Sequence, residues 1–223
     1  MPATPVTKTF PVTGRLELLA RVGRGSITVT AADDVADATV TIAPRDASSI
    51  ADRSVIEMRG STLAVLTPRQ GGVFDLPILN RGLDRSAADI TITVPSGTDV
   101  KLSAHTADIT LVGRMGSTSL AFGSSTASVQ HIDGDLQVRF GSGTVTAGQV
   151  SGKVVSRSGS GAVHIDEVGG ALTAGCGSGA LEIGSVRGTV HARSGSGTAT
   201  LGAVYADVDL ASGSGAMTIG LPA

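Results

Sequence analysis

Gly141-Ser142-Gly143-Thr144-Val145-Thr146-Ala147, Gly159-Ser160-Gly161-Ala162-Val163-His164-Ile165 and Gly177-Ser178-Gly179-Ala180-Leu181-Glu182-Ile183 are one phrase written three times, 18 residues apart. Gly195 to Leu201 and Gly213 to Ile219 repeat it twice more at the same interval. The apolar flank has the same period: Val100, Thr118, Leu136, Val154, Leu172, Val190 and Val208 are equivalent. A fixed period of this length marks a repeat architecture, in which each unit needs a neighbour to bury its apolar side.

Between the glycines the pattern alternates with period two. Val145-Ala147, Val163-Ile165, Leu181-Ile183 and Met217-Ile219 are apolar pairs separated by one outward residue, as are Leu136-Val138 and Val208-Leu210. That is a short strand with one buried face. Gly116, Gly134, Gly152, Gly170 and Gly188 mark a second corner, and Ile132, Val150, Val168, Val186 and Val204 plug a third. Helix is excluded, because apolar spacing is two and glycine is costly inside a helix. Eighteen residues cannot hold a βαβ crossover, so equivalent strands stack directly in parallel ladders, about 4.8 Å apart. The few aliphatic side chains of one coil cannot offset the ordering of its residues, which makes stacking obligatory.

The fold class predicted is all-β: a single-stranded β-solenoid (β-helix) with 18-residue coils and an irregular β-rich N-terminal cap. Residues 1–98 form the cap, with a degenerate first coil and an insertion; residues 99–223 form seven regular coils sharing one continuous core. Gly23-Arg24-Gly25-Ser26-Ile27-Thr28-Val29 matches Gly159 to Ile165 and is the degenerate coil. Ala38 to Ile42 reads as the next strand, ended by Pro44. Asp46 to Arg53 has room for one helical turn, and Val55 to Met58 with Leu63 to Leu66 reads as a hairpin around Gly60-Ser61. Thr67 to Ala88 is a loop with Phe74, Leu76, Ile78 and Leu79 as docking groups, expected to cover the first coil. Asp89-Ile90-Thr91-Ile92 then previews Asp108-Ile109-Thr110-Leu111.

Composition narrows the function. The chain of 223 residues has a formal net charge of −2, which gives no bulk attraction to nucleic acid or an anionic membrane. Its aromatics are Phe10, Phe74, Phe122, Phe140 and Tyr205, as suits a narrow interior filled by aliphatics. Lone Cys176 has no internal disulfide partner. No apolar run approaches the length of a membrane span, and Met1-Pro2-Ala3-Thr4-Pro5 lacks the features of a signal peptide. The expectation is a cytoplasmic bacterial protein with no membrane insertion.

With the Gly-Ser-Gly phrase and its apolar flanks laid out, the chain resembles the bacterial adhesin-type β-strand-repeat domains of unknown function (the domain of unknown function 4097 type), relatives of the toast-rack domains. The resemblance rests on Val12 to Ala31, Ala88 to Gly97 and the five repeats that start at Gly141. It implies a β-solenoid without known catalytic residues. It also implies that relatives continue beyond Ile219-Gly220-Leu221-Pro222-Ala223, so either a C-terminal part is missing or another subunit covers an open end.

Several chemistries lack the residues they need. A calcium ladder needs a carboxylate in coil after coil, and the column Asp108, Thr126, Thr144, Ala162, Ala180, Thr198, Ala216 has one. Ice binding needs a regular Thr-x-Thr face; Thr144-Val145-Thr146 and Thr198-Ala199-Thr200 qualify, but His164 and Glu182 interrupt them. Ser160, His164 and Asp166 suggest a hydrolytic triad, without a pocket or an oxyanion hole. His105, His131, His164 and His191 fall in different columns and stack no metal ladder. Cys176 reads as a small buried residue in the column of Phe122, Phe140, Ser158, Ser194 and Ser212. No cofactor and no catalytic residue is assigned.

Two surfaces remain. Arg139 and Arg157 share a column in adjacent coils, with Arg193 two coils on and Gly175 between; stacked like charges repel unless something anionic meets them. The last coil has no cap, so Val208, Leu210, Met217 and Ile219 are the candidate self-association edge. The leading reading is a non-catalytic scaffold or protein-interaction module, a homo-oligomer or one that takes a protein partner at its C-terminal end. The alternatives are a polymer-forming protein similar to bactofilins, and a ligand-binding or enzymatic site under the 67–88 loop.

Overall fold

The computed structural model describes residues 4–45, 50–68 and 87–220. Its backbone is a β-solenoid of about seven turns. The regular coils begin with three long strands, β7 (Asp99–Met115), β8 (Thr118–Ile132) and β9 (Leu136–Val150), each of which rounds a corner without interruption. From there each coil is two strands: β10 (Val154–Ser158) and β11 (Ala162–Val168), β12 (Leu172–Cys176) and β13 (Ala180–Val186), β14 (Val190–Ser194) and β15 (Thr198–Val204), β16 (Val208–Ser212) and β17 (Met217–Gly220). All pair in parallel at a shift of 18, as in Leu136↔Val154↔Leu172↔Val190↔Val208. On the other limb the same shift gives Val145↔Val163↔Leu181↔Ala199↔Met217.

Strand alternation sends these files inward. Leu18, Val145, Ile165, Leu172 and Val190 are completely buried, and one hydrophobic cluster runs from Leu16 to Val204. The glycine corners are equally regular. Gly152 donates to the Gly134 carbonyl at 3.0 Å, Gly170 to Gly152 at 3.0 Å, and Gly188 to Gly170 at 3.2 Å. These backbones lie so close that a Cβ on Gly170 or Gly188 would overlap the coil beneath.

The N-terminal part closes one end of the stack. β2 (Glu17–Ala32) lies parallel on β7, with Leu18↔Val100 and Ile27↔Ile109. Its Gly23-to-Val29 phrase is thus in register with the regular coils. Beyond β2 lie two short strands, β5 (Thr62–Leu66) on its first half and β6 (Ala88–Pro95) on its second, both parallel to it. Antiparallel strands then finish the end: β4 (Val55–Arg59) on β5, β3 (Asp37–Pro44) on β6, and β1 (Val6–Pro11) on β3. The hairpin expected around Gly60 is present, with Gly60 at φ 59°. The helical turn is α1 (Ile50–Arg53). Phe74, Leu76, Ile78 and Leu79, and with them most of the 67–88 loop, lie outside the described residues.

Candidate functional site

The outward positions of the first limb form the surface of interest. Arg139 and Arg157 are direct neighbours in β9 and β10; Arg157 faces Gly175 in β12, and Gly175 faces Arg193 in β14. All three arginines are exposed. Every other Lys and Arg between residues 99 and 220 has an acidic partner: Lys101 with Glu17 at 2.5 Å, Arg114 with Asp133 at 3.0 Å, Lys153 with Asp135 at 3.3 Å, and Arg187 with Glu167 at 2.8 Å. Among the described residues, the unpaired cations of the regular coils are therefore these three, aligned in one file.

A shallow cleft of about 330 Å³ sits on that file, bounded by Arg157, Thr173, Gly175, His191, Arg193 and Asp209. His191 Nδ1 lies 3.4 Å from Asp209 Oδ2, so the one carboxylate on its rim is engaged by the imidazole. A larger open cleft of about 500 Å³ lies over the neighbouring corner, between Glu17, Lys101, Asp135 and Lys153. Both of its lysines are paired with carboxylates, and Asp99 on the same lining pairs with Arg15 at 2.8 Å, so it offers no unpaired cation to an anion. The Lys101 ammonium, hydrogen-bonded to Glu17, holds that carboxyl below the usual range.

His164 has both ring nitrogens beside carboxylates, Nε2 at 3.0 Å from Asp166 Oδ1 and Nδ1 at 3.3 Å from Glu182 Oε2. With both nitrogens so occupied, the ring is not placed as a base for Ser160. Cys176 is half-buried, less enclosed than expected, with Sγ 3.4 Å from Ser194 Oγ and 3.8 Å from the Gly179 carbonyl. Phe122 and Phe140 stack one coil apart with ring centroids at 4.9 Å, filling the same column. Thr144-Thr146 lies against Ala162-His164, and Thr198-Thr200 against Ala180-Glu182. Among the described residues, no group of three or more His, Cys, Asp or Glu could hold a metal ion, and no helix is long and apolar enough to cross a membrane.

One surface could not be seen in the sequence. The register joins Thr7, Thr41, Thr91, Thr28 and Thr110 into a file across β1, β3, β6, β2 and β7, beside a second file of Thr9, Thr39, Thr93 and Thr30. Thr7 and Thr41 hydroxyls lie 3.0 Å apart and those of Thr9 and Thr39 3.3 Å apart. Such cross-strand pairs hold antiparallel strands in register.

A family model described as Toastrack DUF4097 matches residues 20–222. The chain belongs to this family. The chain is similar to several solved structures. One named a "putative adhesin" from Parabacteroides distasonis ATCC 8503 is 13% identical with a TM-score of 0.50, covering 96% of this chain and 97% of its own. Another of that name, from Bacteroides fragilis NCTC 9343, is 17% identical with a TM-score of 0.48, covering 99% of each chain. A "putative cell adhesion protein" from Clostridium sporogenes ATCC 15579 is 13% identical with a TM-score of 0.46, covering 98% of this chain and all of its own. At these identities the likeness concerns fold. No curated protein matches the chain.

Proposed function

We propose that this toastrack protein is a non-catalytic β-solenoid scaffold that pairs with a second copy of itself through its last coil. The carrying observation is the contrast between that coil and the one beneath it. Val190 is completely buried, whereas Val208 in the same file is 36% exposed; Leu201 is 1% exposed, whereas Ile219 is 43% exposed. Leu210 and Met217 are only partly covered. Among the described residues, the outer edges of β16 and β17 have no strand partner. A surface of this kind is what each inner coil buries against its neighbour, and unpaired strand edges favour pairing with another chain.

The occupant is a second copy joined end to end. The opposite end of the stack finishes in antiparallel strands β4 and β1, so it does not offer the parallel edge that a head-to-tail filament of the bactofilin type needs. A two-fold contact of last coil on last coil closes the stack, and closed two-fold pairing is the commonest arrangement of identical chains. The adhesin names of the structural relatives are in keeping with a binding protein. The cytoplasmic placement expected from the sequence goes with this reading, supported by the free thiol of Cys176.

Light scattering on the full chain at tens of micromolar tests the proposal. The expected result is a dimer that Val208→Lys with Ile219→Lys converts to a folded monomer. A wild-type monomer, or a dimer unaffected by the double variant, overturns it. Negative-stain filaments would favour the polymer instead.

A further inference from the structure

Gly175 has no structural reason to be glycine. From Gly116 to Gly220, a Cβ on every other glycine would come within 3.0 Å of another atom, mostly backbone of the neighbouring coil. At Gly175 a Cβ would meet nothing within 4 Å, and its backbone is not in the left-handed region. The residue is inside strand β12, where glycine weakens the strand and often marks close approach by a ligand. Its outward side is the gap between Arg157 and Arg193.

We propose that this gap is a binding site for an oxyanion, and that its ligand is a linear inorganic polyphosphate laid along the arginine file. Strands are about 4.8 Å apart, which places the backbones of Arg157 and Arg193 roughly 10 Å from each other. Both side chains are long enough to reach over the glycine floor from opposite sides when a ligand sits there. The guanidinium fork matches the oxygens of a phosphate and binds them in pairs. Arg139, one strand beyond Arg157, extends the positive file for a second phosphate. Thr173 and the other ring nitrogen of His191 supply hydrogen-bonding atoms in the same cleft, whose one carboxylate, Asp209, is held by His191 Nδ1 at 3.4 Å.

The ligand must be dense in charge and free of bases or sugars. No Phe, Tyr or Trp lines the cleft, whereas proteins that hold single-stranded nucleic acid stack bases on such rings. The cleft is small, about 330 Å³, with Gly175 among its lining, so a slim chain of phosphates fits better than a helix or a sugar polymer. This site lies on the side of the stack and does not depend on the pairing of its end.

Titration calorimetry on the full chain, with polyphosphate and orthophosphate as separate probes, tests the assignment. The wild type is expected to bind polyphosphate, with orthophosphate at least about tenfold weaker because it engages fewer charges. Arg157→Gln with Arg193→Gln, and separately Gly175→Glu, each weaken polyphosphate by about tenfold or more and flatten its salt dependence. Gly175→Arg tightens it. Gly175→Glu is informative because open space receives the new side chain without disturbing the fold. Arg187→Gln, whose residue pairs with Glu167, leaves binding unchanged. Unaltered binding in Gly175→Glu and in the double variant overturns the site; equal affinity for orthophosphate or for a single-stranded oligonucleotide overturns the ligand.

Discussion

Asp99 Oδ1 accepts a hydrogen bond from the Ser117 backbone N–H at 2.7 Å, so a side chain of one coil caps the corner amide of the next. The device recurs: Ser117 Oγ accepts from Asp135 N–H at 3.4 Å, and Asp135 Oδ1 from Lys153 N–H at 3.0 Å. Room for it comes from the glycines, since a Cβ on Gly116 or Gly152 would overlap the Asp99 or Asp135 carboxylate. We expect Asp135→Ala to lower stability by about 1 kcal/mol through the lost bond, measured as a shift in the urea midpoint. Asp135→Asn, which keeps Oδ1 as acceptor, should retain most of it. An Ala variant with an unchanged midpoint would remove the ladder's claim to matter.

Ile165 tests the interior. It is fully buried between Ala147 and Ile183. Ile165→Ala should cost about 2–5 kcal/mol. Because each coil touches only its neighbours, faster amide exchange should appear from β11 toward β17 while β2 to β8 keep their protection. Uniform loss along the whole stack would show that the coils unfold as one unit.

Two glycines separate backbone need from free space. At Gly179 a Cβ would overlap the Gly161 carbonyl, so Gly179→Ala should strongly destabilise the chain. Gly175→Ala has open space and should raise stability by about 0.5–1 kcal/mol, because alanine loses less backbone entropy on folding. Thermal melts of the two variants decide it; equal loss in both would contradict the open surroundings of Gly175.

Acid should weaken the molecule at the Asp89 and Asp133 ion pairs. A hydrogen bond from Arg45 holds the Asp89 carboxyl below its ordinary value, with burial opposing and Ser26 adding to the lowering. Arg114 does the same for Asp133. A carboxyl depressed in the folded state contributes stability that is fully present above its unfolded value, about 3.9, and is lost as pH falls through the folded one. The Asp89 pair is largely exposed, so its share is under about 1 kcal/mol. Melting temperature should drop below about pH 4, less so in Asp89→Asn with Asp133→Asn; parallel curves would exclude these pairs.

The regular coils were legible because arithmetic alone aligns them: Val145, Val163 and Leu181 must stack if a strand returns every 18 residues. The strand order of the capped end was not. β2 reaches β7 across a sequence gap of 82 residues, as in Leu18↔Val100, and no fixed period spans it. Asp89 to Ile92 does preview Asp108 to Leu111, yet β2 lies between the two strands. Antiparallel pairing of β1, β3 and β4 depends on which edges remain open after folding, a property of shape. The arginine file was legible as a column. Its lack of acidic partners and the open space over Gly175 were not, because both depend on side-chain positions across coils.

Parallel pairing at a constant shift makes the molecule modular in length. Excising residues 154–171 would seat β12 and β13 directly on β9, joining Val150 and Leu136 to Val186 and Leu172 in the same relations they now have with Val168 and Val154. Duplication of those residues would lengthen the rod by one step, about 4.8 Å, with the one new interface in the same register as the old ones. Extension of such a protein therefore keeps its inward files aligned, and the distance between its two ends can be tuned in quanta.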